Sequence, residues 1–99
     1  MDEAQAREYA QAHAQAMENG ELERAGADVA DEFRPHLGAI MRHMPRPLTR
    51  AEVLSVEPAG EGAYFSKIRY TGEDESVTFQ ARWASSGPRP QIVDIQIVE

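Results

Sequence analysis

Alternation of apolar and polar residues governs the second half of the chain. Three runs, AYFSKIRYT (63–71), SVTFQARWA (76–84) and QIVDIQIVE (91–99), have period two and are separated by GEDE and SSGPRP, the composition of turns. They predict a three-strand antiparallel meander. Placing Tyr70 opposite Val77 sets Ile68 against Phe79, Ser66 against Ala81 and Tyr64 against Trp83. Placing Trp83 opposite Val93 sets Ala81 against Ile95 and Phe79 against Ile97. These pairs gather the apolar side chains on one face, and a one-residue slip would undo them all. No acid falls on that inner face. Asp94 points outward with Lys67, Arg69 and Arg82, and so do Phe65, Ile92 and Val98.

The first half has helical periodicity. Over residues 3–18, Ala6, Tyr9, Ala10, His13, Ala16 and Met17 share one face at about 100° per residue, with Glu8, Gln11, Gln15 and Glu18 on the other. Asn19-Gly20 is a suitable C-terminal stop, since both residues tolerate the left-handed conformation. A second stripe, Leu22, Gly26, Val29, Phe33, Leu37, Ile40 and Met44, keeps helical phase through Pro35. It predicts a long helix kinked or broken at that proline, ending at Met44 before Pro45-Arg46-Pro47. In LTRAEVLSVEP, Thr49 and Glu52 have capping-box spacing, whereas Leu54 and Val56 alternate with Ser55 and Glu57. The strand is preferred, because three strands would leave a narrow sheet for two helices. The expectation is therefore an α+β domain over 1–99, with N-terminal helices packed on one face of a curved, mainly antiparallel four-stranded sheet.

Charge and composition remove several functions. The 99 residues suffice for one core, and no apolar run approaches the 18 or so residues of a membrane span. The opening MDEAQAREYAQAH is acidic and lacks the apolar centre of a secretory signal, so the cytoplasm is the expected location. There is no cysteine, hence no disulfide, thiolate metal site or cysteine nucleophile. The net charge of −7 disfavours nucleic acid. It is unevenly spread: residues 1–33 carry −7, residues 34–50 carry +4 and residues 51–99 carry −4. Arg34, Arg42, Arg46 and Arg50, with His36 and His43, read either as an anion-binding patch or as a helix C-terminus and a solvated linker. The second is the more economical reading. The three histidines lack ligand spacing, so no metal is expected, and no glycine-rich phosphate loop implies a nucleotide cofactor.

His13 is the main candidate for chemistry, since periodicity centres it in a buried stripe between Tyr9 and Met17. It reads as a pocket-facing donor or base, or as a neutral core histidine bonded to a backbone carbonyl or to Tyr64 or Tyr70. Proton transfer would need a carboxylate partner, and the predicted inner face offers none. The residues that would surround a ligand are Tyr9, His13, Met17, Tyr64, Ser66, Tyr70, Phe79 and Trp83. Phe79 and Trp83, at alternate positions, read more readily as core than as a ligand-stacking platform.

The segments YAQAHAQAMENGELERAGADVADEF, with its Gly20-Glu21-Leu22 turn, and ARWASSGPRPQIVDIQI resemble the first helices and the C-terminal strand pair of the nuclear transport factor 2-like superfamily. The resemblance implies a cone-shaped fold whose curved sheet wraps the helices around an apolar pocket. That superfamily includes ketosteroid isomerase-like and polyketide cyclase-like proteins, dehydratases and non-catalytic dimeric modules. This chain is a short member by that pattern. It lacks the small strand pair that commonly supplies the catalytic base, and His13 stands where isomerase-like members place an oxyanion-donating tyrosine. The resemblance also implies a homodimer through the outer sheet face, which would bury Phe65 and Ile92. Together these features lead to a non-catalytic, homodimeric domain that binds a small apolar ligand or a protein partner. The alternative is a small isomerase, cyclase or dehydratase using His13, with Tyr9, Tyr64 or Tyr70 orienting the substrate.

Overall fold

The structure, a computed structural model, describes residues 1–86 and 89–98. Helix α1 spans Glu3–Glu18, α2 Leu22–Gly26 and α3 Leu37–Met41, with a 3₁₀ segment over Asp31–His36. Strands β1 (Arg50–Pro58), β2 (Tyr64–Thr71), β3 (Ser76–Ser86) and β4 (Arg89–Ile97) form one antiparallel sheet in the order β1-β2-β3-β4. The helices lie on one face of it. Residues 49–57 are thus mainly strand, not helix. The predicted turn residues Gly87 and Pro88, and the predicted strand end at Glu99, lie outside the described residues.

Local chemistry accounts for α1. Asp2 Oδ1 accepts from the Gln5 backbone N–H at 2.8 Å, and the Gln5 side chain accepts from Asp2 N–H at 3.1 Å, a reciprocal capping box. At the other end Gly20 has φ +76°, and the Glu21 N–H returns to the Ala16 carbonyl at 2.8 Å. The buried face, Ala6, Ala10, His13, Ala14, Ala16 and Met17, is small-residue rich, so the helix sits close to the sheet. Glu18 Oε2 also accepts from the Ala51 N–H at 3.2 Å, which engages part of the open β1 edge.

The β2–β3 register is the one that burial of apolar residues dictates: Tyr70↔Val77, Ile68↔Phe79, Ser66↔Ala81 and Tyr64↔Trp83. Between β3 and β4, Phe79↔Ile97 and Ala81↔Ile95 likewise pair, but Trp83 lies opposite Ile92, not Val93. A bulge between Arg82 and Trp83 leaves Val93 as the extra residue. Beyond a bulge the faces exchange. Ile92, expected outside, is therefore fully buried, and Val93, expected inside, is half-exposed. A second bulge, at Leu54, interrupts the β1–β2 ladder and leaves that leucine largely exposed. Such bulges bend their strands locally and increase the twist.

The second stripe is not one helix broken at Pro35. The chain leaves α-helical geometry earlier, after Gly26, and Pro35 lies inside the 3₁₀ segment. Backbone pairing decides this. Ile92 N–H donates to the Asp28 carbonyl at 2.7 Å, and Ala30 N–H donates to the Ile92 carbonyl at 2.8 Å. A continuous helix would have turned those groups inward along its own axis. Val29 instead makes a parallel bridge to Ile92 on the β4 edge. The stripe keeps its inward side: Val29 and Met44 are buried and Phe33, Leu37 and Ile40 are half-buried, although Leu22 is 58% exposed.

The bulge has a measurable signature. Ile92→Ala is expected to cost about 2–5 kcal/mol in denaturant unfolding, and Val93→Ala about 1 or less. Equal costs would restore the unbulged register.

Candidate functional site

A cavity of about 220 Å³ lies between the sheet and the short helical segments. Met17, Ala25 and Val29 border it from α1 and the segment following it, Leu37 and Ile40 from the chain around α3, and Ile68, Phe79 and Ile95 from the sheet. Its origin is structural: short pieces cover this part of the sheet in place of one long helix, and Ala25, Gly26 and Ala81 contribute little bulk. Leu22, Met41 and Met44 border both the cavity and an adjoining surface groove, so the mouth is apolar and partly built of adaptable methionines.

Two side chains bring polar atoms to this wall, His13 and Tyr70. His13 Nδ1 lies 2.9 Å from Asp28 Oδ2 in a buried pair. The other Asp28 oxygen accepts from Arg89 Nη1 at 3.1 Å, and Arg89 Nη2 donates to the Ala27 carbonyl at 2.8 Å. A carboxylate only accepts, so the shared proton belongs on Nδ1 and the neutral imidazole carries its lone pair on Nε2. Trp83 packs edge-on behind the ring, with centroids 6.0 Å apart and planes at 85°. The ring is therefore fixed in both tautomer and orientation.

Nε2 makes no hydrogen bond among the described residues, nor does the Tyr70 hydroxyl. Among those residues no sealed side-chain polar atom lacks a partner, so both atoms reach accessible space, and the cavity is the space that both residues border. Burial pushes the Tyr70 hydroxyl well above the ordinary tyrosine range, so it stays protonated as a donor.

Four of the eight residues expected around a ligand, His13, Met17, Tyr70 and Phe79, border the cavity. The other four lie elsewhere. Trp83 Nε1 donates to Ser66 Oγ at 3.0 Å, with both side chains buried behind the wall. Tyr9 packs on Trp83 at 5.9 Å, and Tyr64 packs against the cluster of Ala6, Ala10 and Val56.

The expectation that His13 has no facing carboxylate is overturned. No acid among the described sheet residues faces inward; the partner comes instead from the segment after α2. Asp28 is the lone acid in AGADVA, an otherwise small and apolar stretch, and that isolation was the available signal. Arg89 had none, because its role depends on where β4 begins.

The basic stretch does not converge. Arg34 donates to the Gly26 carbonyl at 3.0 Å and pairs with Asp31 at 3.3 Å, Arg50 faces Glu52 at 3.5 Å, and all four arginines are exposed. His36 stacks on Phe33 at 5.4 Å. Among the described residues no three metal-ligating side chains cluster, and no helix is long and apolar enough to cross a membrane. No protein-family model, curated protein or solved structure matches the chain.

The Tyr70 hydroxyl supplies a pH test. Its folded-state pKa is raised, so its contribution is fully present below the unfolded value near 10 and is lost as pH climbs above it toward the folded value. Stability is expected to fall there by up to about 1.4 kcal/mol per pH unit from this group. Tyr70→Phe should lack that component, and parallel alkaline profiles for the two proteins would place the hydroxyl in solvent. A second check concerns the ring: ¹⁵N NMR of the neutral form should show His13 protonated at Nδ1, with that bias lost in Asp28→Ala.

Proposed function

We propose that this chain is a small-molecule-binding domain whose cavity takes an apolar ligand, with His13 Nε2 as its oriented polar contact. The observation that carries this reading is the buried His13–Asp28 pair at the edge of an otherwise apolar cavity. The pair leaves one imidazole nitrogen without a protein partner among the described residues, in accessible space bordered by apolar side chains. A ligand can supply that partner, and apolar burial adds to the affinity. The helices on one face of a curved sheet are consistent with the nuclear transport factor 2-like cone. Pairing of two copies through the outer face has less support. With Ile92 turned inward, Phe65 and Val98 are what remain of the three apolar residues that suggested it.

A second reading, proton transfer, is favoured by one specific observation. Asp28 holds His13 in the tautomer that leaves Nε2 basic, and the protonated Tyr70 hydroxyl borders the same cavity as a donor to a developing oxyanion. The reaction class would be isomerisation, cyclisation or dehydration of an apolar carbonyl compound.

One experiment separates the two. A thermal-shift screen of apolar compounds should give hits that weaken in His13→Ala. Carbonyl-bearing hits are then held in D₂O with the protein. Exchange of their α-protons, lowered about 10²–10⁴-fold in His13→Ala, selects the enzyme. Binding without exchange selects the binding domain, and no hits in the screen would remove both.

A further inference from the structure

We propose that the ligand is a neutral molecule of about two fused rings carrying one hydrogen-bond donor, such as an N–H heteroarene or a ring alcohol. This rests on the binding function above and names the chemical class of its ligand. Three observations carry it: size, charge and polarity of the one oriented contact.

Size comes first. An apolar cavity of about 150 Å³ accommodates benzene. At about 220 Å³, this one has room for a second ring. The lining combines aliphatic and thioether side chains with the rings of Phe79, Tyr70 and His13, a surface suited to a hydrocarbon ring frame.

Charge comes next. Among the described residues, no lysine, arginine, aspartate or glutamate side chain borders the cavity. The carboxylate behind His13 is already matched, since Asp28 uses one oxygen on His13 and the other on Arg89. A ligand anion or cation would lose its hydration with no counter-charge to replace it, a cost of several kcal/mol that apolar contact of this size does not return.

Polarity is the sharpest of the three. Because Asp28 fixes the proton on Nδ1, Nε2 offers a lone pair and asks for a donor. In accessible space such an acceptor is met by solvent, and a ligand that excludes solvent without donating leaves Nε2 unpaired and forfeits affinity. An N–H or O–H ligand restores the bond and keeps the apolar gain.

The test uses wild-type protein and three probes in calorimetry: indole, benzofuran (the same frame with an oxygen for the N–H) and indole-3-carboxylate. Affinities are compared after correction for each probe's octanol partitioning. Indole is expected to bind about three- to tenfold more tightly than benzofuran, with the carboxylate at least about tenfold weaker than indole. Indole, and not benzofuran, should move the ¹⁵N resonance of His13 Nε2. In His13→Leu the corrected preference for indole over benzofuran should vanish; if that variant does not fold, the wild-type comparison and the resonance decide alone. Equal corrected affinities, or tightest binding by the carboxylate, overturn the ligand class while leaving the binding function standing. Failure of indole and benzofuran alike to bind overturns both.

Discussion

A single residue, Ile92, couples the sheet to everything that surrounds the cavity. Its side chain is fully buried opposite Trp83, and its N–H and C=O reach across the β4 edge to residues 28 and 30. The bulge beside it makes both possible, since one extra residue turns the side chain inward while the edge-facing amide groups still find partners. Those two bonds cover part of a sheet edge that would otherwise stay open. They also pin Asp28, and Asp28 in turn orients His13. The second helical stripe breaks where it does for the same reason: its backbone is committed to β4. The cavity follows from that break, because the short pieces beyond it do not fill the space that a continuous helix would.

Two polar units within the interior have different consequences. Trp83 and Ser66 satisfy one another and are sealed, so they stabilise the wall and offer nothing to a ligand. His13, Asp28 and Arg89 are linked in series from the cavity outward, and Arg89, 41% exposed in its side chain, carries the charge balance toward solvent. A buried carboxylate with one cation and one imidazole on its two oxygens has its main demands met. What is left over in that network is the outer nitrogen of the imidazole. The hydrogen-bonded nitrogen and the nitrogen without a protein partner among the described residues are thus on opposite sides of one ring.

Much of this was legible in the letters, and what was not has a common cause. The β2–β3 register follows from alternation, because a slip by one residue would move Tyr70, Ile68, Phe79 and Trp83 to the outside together. Helix α1 follows from its apolar spacing and the Asn19-Gly20 stop. His13 stood out because a titratable residue in the centre of an apolar stripe must find a partner or a use. The bulge at Val93 was not legible, since QIVDI accommodates either register with an apolar residue facing Trp83. Nor was the end of α2, where the stripe continues in phase although the helix does not.

Alternation and helical periodicity act over a few residues, so the sequence by itself determined the element types, the inner face of β2 and β3, and the position of His13 on α1. Two decisions belonged to the tertiary structure: which residue of β4 turns inward, and which acid meets His13. Both depend on contacts between segments far apart in the chain, Asp28 with His13 and Arg89, and Ile92 with Asp28 and Ala30. Such contacts are chosen by competition for buried hydrogen bonds once the layers have packed, and no local pattern records the outcome.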